Sequence, residues 1–168
     1  PISAWSLDGW VVAAHCRSQP LIVVTRDGKT SIVYDRNTGR EVFTNLRGSP
    51  PWGNPISPDG RKVVLYRDGE MFVLDLETKQ EGPRWSPASD FVRWNASGDE
   101  LVVTIEGREF QLRDAATAAL IHSTGGLRGG ARAVLDGRQN LALLRDWDRT
   151  AIVCEARTGR QILTLPFT

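Results

Sequence analysis

Four short runs of β-branched and aliphatic residues recur along the chain: Ile22-Val23-Val24-Thr25, Val63-Val64-Leu65-Tyr66, Leu101-Val102-Val103-Thr104 and Leu141-Ala142-Leu143-Leu144. Each has the length of a strand and is bounded by turn-forming residues. A tight turn follows each run: Asp27-Gly28, Asp68-Gly69, Glu106-Gly107 and Asp146-Trp147-Asp148. Asp-Gly and its relatives supply the positive φ that a two-residue hairpin requires. A further strand comes next, as in Ser31-Ile32-Val33-Tyr34 and Met71-Phe72-Val73-Leu74. It ends in another turn, at Asn37-Thr38-Gly39, Glu77-Thr78-Lys79, Ala116-Thr117 or Arg157-Thr158-Gly159. A last strand closes the unit, as in Glu41-Val42-Phe43-Thr44 and Gln161-Ile162-Leu163-Thr164.

One landmark fixes the period of this pattern. An acidic residue ends the third apolar run of each unit, at Asp35, Asp75, Asp114 and Glu155, with spacings of 40, 39 and 41 residues. A regular period of this length is the mark of a repeat architecture. Each unit reads as a four-stranded antiparallel meander, the units covering approximately 10–46, 52–85, 88–124 and 127–165 of one segment, 1–168. Residues 1–9 read as the remnant outer strand of a preceding unit. Asp114 through Leu120 is rich in alanine, a strong helix former, but the repeat register assigns it to a turn and an outer strand.

Four-stranded units of about 40 residues are the blades of a β-propeller. The turn Ser57-Pro58-Asp59-Gly60 with Arg61-Lys62-Val63-Val64 resembles the blade hairpin of WD-repeat propellers, as does Tyr34-Asp35-Arg36-Asn37-Thr38-Gly39-Arg40-Glu41-Val42. Leu74-Asp75-Leu76-Glu77-Thr78-Lys79 also resembles the TolB-like propeller repeat. The resemblance runs from about residue 10 to 165. It implies an all-β fold, a propeller of about four four-stranded antiparallel blades. The family's Trp-Asp dipeptide stands here as Tyr34-Asp35, Leu74-Asp75, Arg113-Asp114 and Cys154-Glu155, and its opening Gly-His pair is missing from every unit. In the family, that His joins a hydroxyl, the turn Asp and the Trp in a network within the blade. Asp27 and Asp68 hold the turn position here without the His and Trp, so blade rigidity is expected from apolar packing between sheets. Propellers close with about 4–8 blades, and the resemblance implies seven or eight. Two readings stay open: a partial propeller, or half of a larger ring that a second copy completes as a homodimer.

Composition narrows the picture. The 168 residues make about one domain, 40% apolar and 24% charged, as in an ordinary globular chain. Lysine plus arginine number 21 against 20 acids, a net charge of +1, so nothing in the balance favours nucleic acid or an anionic membrane. No apolar run approaches the ~18–20 residues of a membrane span. Two cysteines, Cys16 and Cys154, flank or lie in apolar segments and read as buried free thiols, with a bridge left open. Pro1-Ile2-Ser3 has neither a basic start nor an apolar stretch after it, so no secretory signal is expected at this point. The expected location is cytoplasmic, or unknown if the segment is cut from a longer polypeptide.

Residue spacings that carry catalysis or hold metals are lacking. His15 and His122 are the two histidines, and no Cys-x-x-Cys, His-Glu-x-x-His or P-loop pattern occurs. His15 and Cys16 are neighbours in a strand and so point to opposite faces. Asp146-Trp147-Asp148 offers too few oxygens for calcium. The reading is of a chain without catalytic residues, metal or cofactor.

Recognition residues are expected on the propeller face that gathers inter-blade loops and middle hairpin turns. Arg26, Arg67 and Arg145 hold equivalent turn positions, and Arg47, Trp52, Trp85 and Arg128 lie in or beside the inter-blade loops. Trp and Arg dominate binding hot spots, and the guanidinium fork suits carboxylates. The competing expectation is that the arginines pair with nearby acids in exposed turns and that the tryptophans cap the core. The sequence therefore points to a noncatalytic scaffold for a protein or peptide. The alternatives are a regulatory or sensor domain of a multidomain enzyme, and a propeller enzyme with an axial active site.

Overall fold

A computed structural model describes residues 12–16, 18–25, 27–86, 89, 91–105, 109–124, 132–135, 141–145 and 150–166. Every regular element among them is a β-strand. They are β1 (Val12–His15), β2 (Leu21–Thr25), β3 (Thr30–Asp35), β4 (Glu41–Arg47), β5 (Trp52–Asn54), β6 (Lys62–Arg67), β7 (Glu70–Asp75) and β8 (Glu81–Trp85). They continue as β9 (Phe91–Trp94), β10 (Glu100–Ile105), β11 (Glu109–Asp114), β12 (Leu120–Thr124), β13 (Arg132–Leu135), β14 (Leu141–Arg145), β15 (Thr150–Glu155) and β16 (Gln161–Pro166). Among the described residues no helix is long and apolar enough to cross a membrane. The chain divides into two compact units, Pro1–Ala88 and Ser89–Thr168.

In the first unit β1-β2-β3-β4 is an antiparallel meander in sequence order. The second repeat departs from the expected four strands. Its sheet has three, β6-β7-β8, and two isolated bridges, Ser49 to Tyr66 and Ile56 to Val63, stand where the inner strand was expected. Proline accounts for the break. Pro50, Pro51 and Pro55 have no N–H to give to a ladder, although the Pro55 carbonyl still accepts from the Val64 amide at 2.8 Å. Between these sheets lies a core containing Ala14, Cys16, Val23, Val33 and Leu46 on one side and Val63, Leu65, Phe72 and Leu74 on the other. In the second unit β9 to β12 and β13 to β16 are again antiparallel meanders. Val102, Phe110 and Leu112 pack there against Ile152, Cys154 and Ala156.

The periodic acid has a structural task. The Asp35, Asp75 and Asp114 carboxylates each accept hydrogen bonds from the backbone amides two and three residues on. Glu155 is longer, and it accepts instead from the Thr158 hydroxyl. The threonines at 38, 78, 117 and 158 then accept from the amide two residues further along. Each turn closes with a residue at positive φ: Gly39 at 69°, Lys79 at 61°, Ala118 at 59° and Gly159 at 68°. Glycine accepts this conformation without strain and alanine or lysine does not. Residues 114–119 adopt this turn, and the alanine-rich segment forms no helix.

Immediately after the turn each outer strand slips register by a bulge, opposite Val33/Tyr34, Phe72/Leu74, Leu112/Arg113 and Val153/Cys154. Among the described ladders, β4 alone carries a second slip, opposite Ser31/Val33, where Asn45 takes φ 58°.

Candidate functional site

The segment from β4 to β5 is fixed at one glycine. Gly48 has φ 125°, and a Cβ there would stand 2.9 Å from the Tyr66 carbonyl oxygen. No side chain fits so close an approach. The gap lets the Gly48 amide donate to the Lys29 carbonyl and the Ser31 hydroxyl donate to the Gly48 carbonyl, each at 2.6 Å. Ser49 and Tyr66 then exchange a pair of backbone hydrogen bonds at 2.9 and 2.8 Å. Pro50 and Pro51 are buried beneath the turn of chain, and Trp52 emerges 60% exposed at the start of β5. Arg47 stands exposed at the other end of the same segment. Among the described residues no carboxylate lies within ion-pair distance of its guanidinium.

Arg67 is in a different condition. Its guanidinium bonds both oxygens of Glu81, at 2.8 and 2.7 Å, and lies 4.9 Å from the centre of the Phe72 ring. Arg84 shares the arrangement, bonding Glu81 at 2.8 Å and Glu70 at 3.3 Å and lying 5.1 Å from the same ring. The hydrogen bonds from Arg67 first, then from Arg84, hold the Glu81 carboxyl below its ordinary range. This is a fixed ion cluster on a buried ring, so Arg67 is removed from the set of free recognition cations. Trp85 is corrected as well: it ends β8 and is 5% exposed, which makes it core. Arg26 and Arg128 lie outside the described residues, and Arg145 ends β14. Of the expected recognition residues, the structure brings Arg47 and Trp52 to one exposed segment.

A groove of about 310 Å³ adjoins Arg47. Leu46 and Leu74 form its apolar floor, and Thr44, Asn45, Arg47, Lys79 and Glu81 line it. The second slip in β4, at Asn45, falls within this lining, and bulges commonly re-aim side chains. Lys79 enters from the β7–β8 turn with its ammonium 5.0 Å from the centre of the Phe43 ring. Sequence reading missed Lys79. The available signal was the substitution of lysine where the recurring turn carries Gly39 and Gly159.

His15 is exposed and Cys16 is buried, its thiol donating to the Ser57 carbonyl at 3.3 Å, so the two do not meet as base and nucleophile. Among the described residues no three His, Cys, Asp or Glu side chains gather as a metal ion would need. Asp27 bonds the Lys29 and Thr30 amides of its own turn, both at 2.8 Å.

No family model and no curated protein sequence matches the chain. Solved structures do match. One, KlHsv2 with loop 6CD replaced by a Gly-Ser linker, aligns with a TM-score of 0.69 at 13% identity. The alignment covers 98% of this chain and 56% of that one, so this chain spans little more than half the length of the solved structure. The chain is thus an all-β protein of several antiparallel sheets with a propeller-like neighbour. At this identity, and with 1090 solved chains matching, the likeness speaks to architecture and to nothing else.

Proposed function

We propose that the chain is a noncatalytic segment of a β-propeller, built from about four divergent WD-like blades, whose segment 47–53 binds a protein or peptide partner. One observation carries the reading. A tryptophan is held outward on a segment pinned by Gly48 and two buried prolines, and an arginine free of acids among the described residues stands at the segment's other end. An exposed indole on a mobile loop would say little. A rigid one costs little ordering entropy on binding, which is how a preformed recognition surface gains affinity. The likeness to a longer propeller-like structure supports the blade reading, with further blades supplied by the same polypeptide or a second copy.

The test is selection from a random dodecapeptide library displayed on phage, with the wild-type chain as bait and Trp52→Ala as the comparison. Sequences enriched on wild type and lost on Trp52→Ala support the proposal. Equal enrichment on both baits, or none on either, rejects it.

A further inference from the structure

The groove beside Arg47 has an uneven charge balance. Glu81 is the one acid in its lining, and both Glu81 oxygens are already taken by Arg67 and Arg84. Arg47 and Lys79 remain, and among the described residues neither has a carboxylate within ion-pair distance. The groove therefore pairs two uncommitted cations with a floor made by Leu46 and Leu74. Its volume of about 310 Å³ is at the lower end of the range for ligand pockets and suits one or two side chains, not a cofactor.

Lys79 is also out of place on backbone grounds. It sits at φ 61° in a turn where the first and fourth repeats have glycine. The turn itself would be relieved by glycine, so the fold supplies no reason for a lysine there. The side chain is exposed, with its ammonium 5.0 Å from the centre of the Phe43 ring. Partial burial holds the ammonium below its ordinary range.

Resting on the reading of segment 47–53 as a recognition surface, we infer that its partner is an extended peptide with an aliphatic residue beside a carboxylate. The aliphatic side chain enters the groove over Leu46 and Leu74, and the carboxylate bridges Arg47 and Lys79. The carboxylate is that of an aspartate or glutamate side chain.

The experiment uses the same random dodecapeptide library, with two further baits, Lys79→Gly and Lys79→Arg. Lys79→Gly relieves the turn and so folds at least as well as wild type. The inference expects wild-type selection to enrich Asp or Glu next to Leu, Ile or Val. It expects the selected peptides to bind Lys79→Gly about tenfold or more weakly, and Lys79→Arg within about threefold of wild type. Amidating the C-terminus of a selected peptide should leave its affinity unchanged, because the bridging carboxylate is a side chain's; loss of binding on amidation would overturn that assignment. Peptides that bind Lys79→Gly as tightly as wild type but lose Trp52→Ala would overturn the groove and leave the surface standing. Peptides indifferent to both substitutions would overturn both.

Discussion

The Arg67 guanidinium and the Glu81 carboxylate meet fork to fork, Nη1 to Oε1 at 2.8 Å and Nη2 to Oε2 at 2.7 Å, across the β6–β8 face. That pair, seated against the Phe72 ring, separates an arginine that holds the sheet together from one, Arg47, that is exposed with no carboxylate in ion-pair reach among the described residues. A double-mutant cycle of Arg67→Ala and Glu81→Ala should give a coupling of about 1 kcal/mol, more than an open surface pair because both oxygens are engaged beside an aromatic ring. Coupling indistinguishable from zero in urea denaturation would show that the bidentate geometry contributes no stability.

Gly159 closes the recurring turn of the fourth repeat against a neighbouring side chain. Its φ is 68°, and a Cβ there would run into the imidazole of His122. Gly159→Ala should destabilise by about 2–4 kcal/mol, from left-handed backbone strain and overpacking together. Gly69→Ala is the control, because its φ is 87° but an added methyl group would meet nothing within 4 Å; it should cost about 1 kcal/mol. Equal losses for the two would contradict the close packing of His122 on the turn.

The periodic acids set the acid limb of stability. Asp35 and Asp75 are held below the ordinary carboxylate range chiefly by the Thr38 and Thr78 amides, and Asp114 chiefly by the Thr117 hydroxyl. A carboxyl with a lower pKa folded than unfolded takes up its proton in the unfolded chain first as pH falls. The stability these bonds add is therefore present above the unfolded pKa of about 4 and is lost progressively below it. The urea midpoint should fall below about pH 4, and the triple variant Asp35→Asn, Asp75→Asn, Asp114→Asn should fall less steeply. Asparagine keeps an oxygen for the turn amides and loses the titration. An unchanged slope would remove these groups from the acid transition.

Both cysteines are buried free thiols, and burial pushes the Cys154 thiol up. Neither should react with Ellman's reagent in the native chain, and both should react at once in denaturant, because the thiolate is the reactive form. Rapid labelling of the native protein would place a thiol at the surface.

The strands were legible because their signal is local. Short apolar runs, Asp-Gly turns and the forty-residue spacing of Asp35, Asp75, Asp114 and Glu155 all act within one repeat. Asp68 and Gly69 do take positive φ, at 55° and 87°, as a two-residue hairpin of this kind needs. The inner edge of the second sheet was less legible, although the prolines that break it are plain in the sequence. Repeat register gave no weight to their missing N–H groups. The site was half legible. An Arg or Trp in a loop is visible in sequence, but whether it is committed depends on partners far along the chain. Arg67 meets Glu81 fourteen residues away, and Trp85 is covered by packing that no local pattern records. The groove was hidden because it forms between β4 and the β7–β8 turn, from residues that have no common motif.

The placement of recognition is tested most directly by fluorescence polarisation with one library-selected peptide, titrated against wild type, Trp52→Ala and Arg67→Ala. The account predicts that Trp52→Ala binds about tenfold or more weakly, a loss of about 1.4 kcal/mol, while Arg67→Ala binds as wild type does. Full affinity in Trp52→Ala with the loss falling on Arg67→Ala would contradict it.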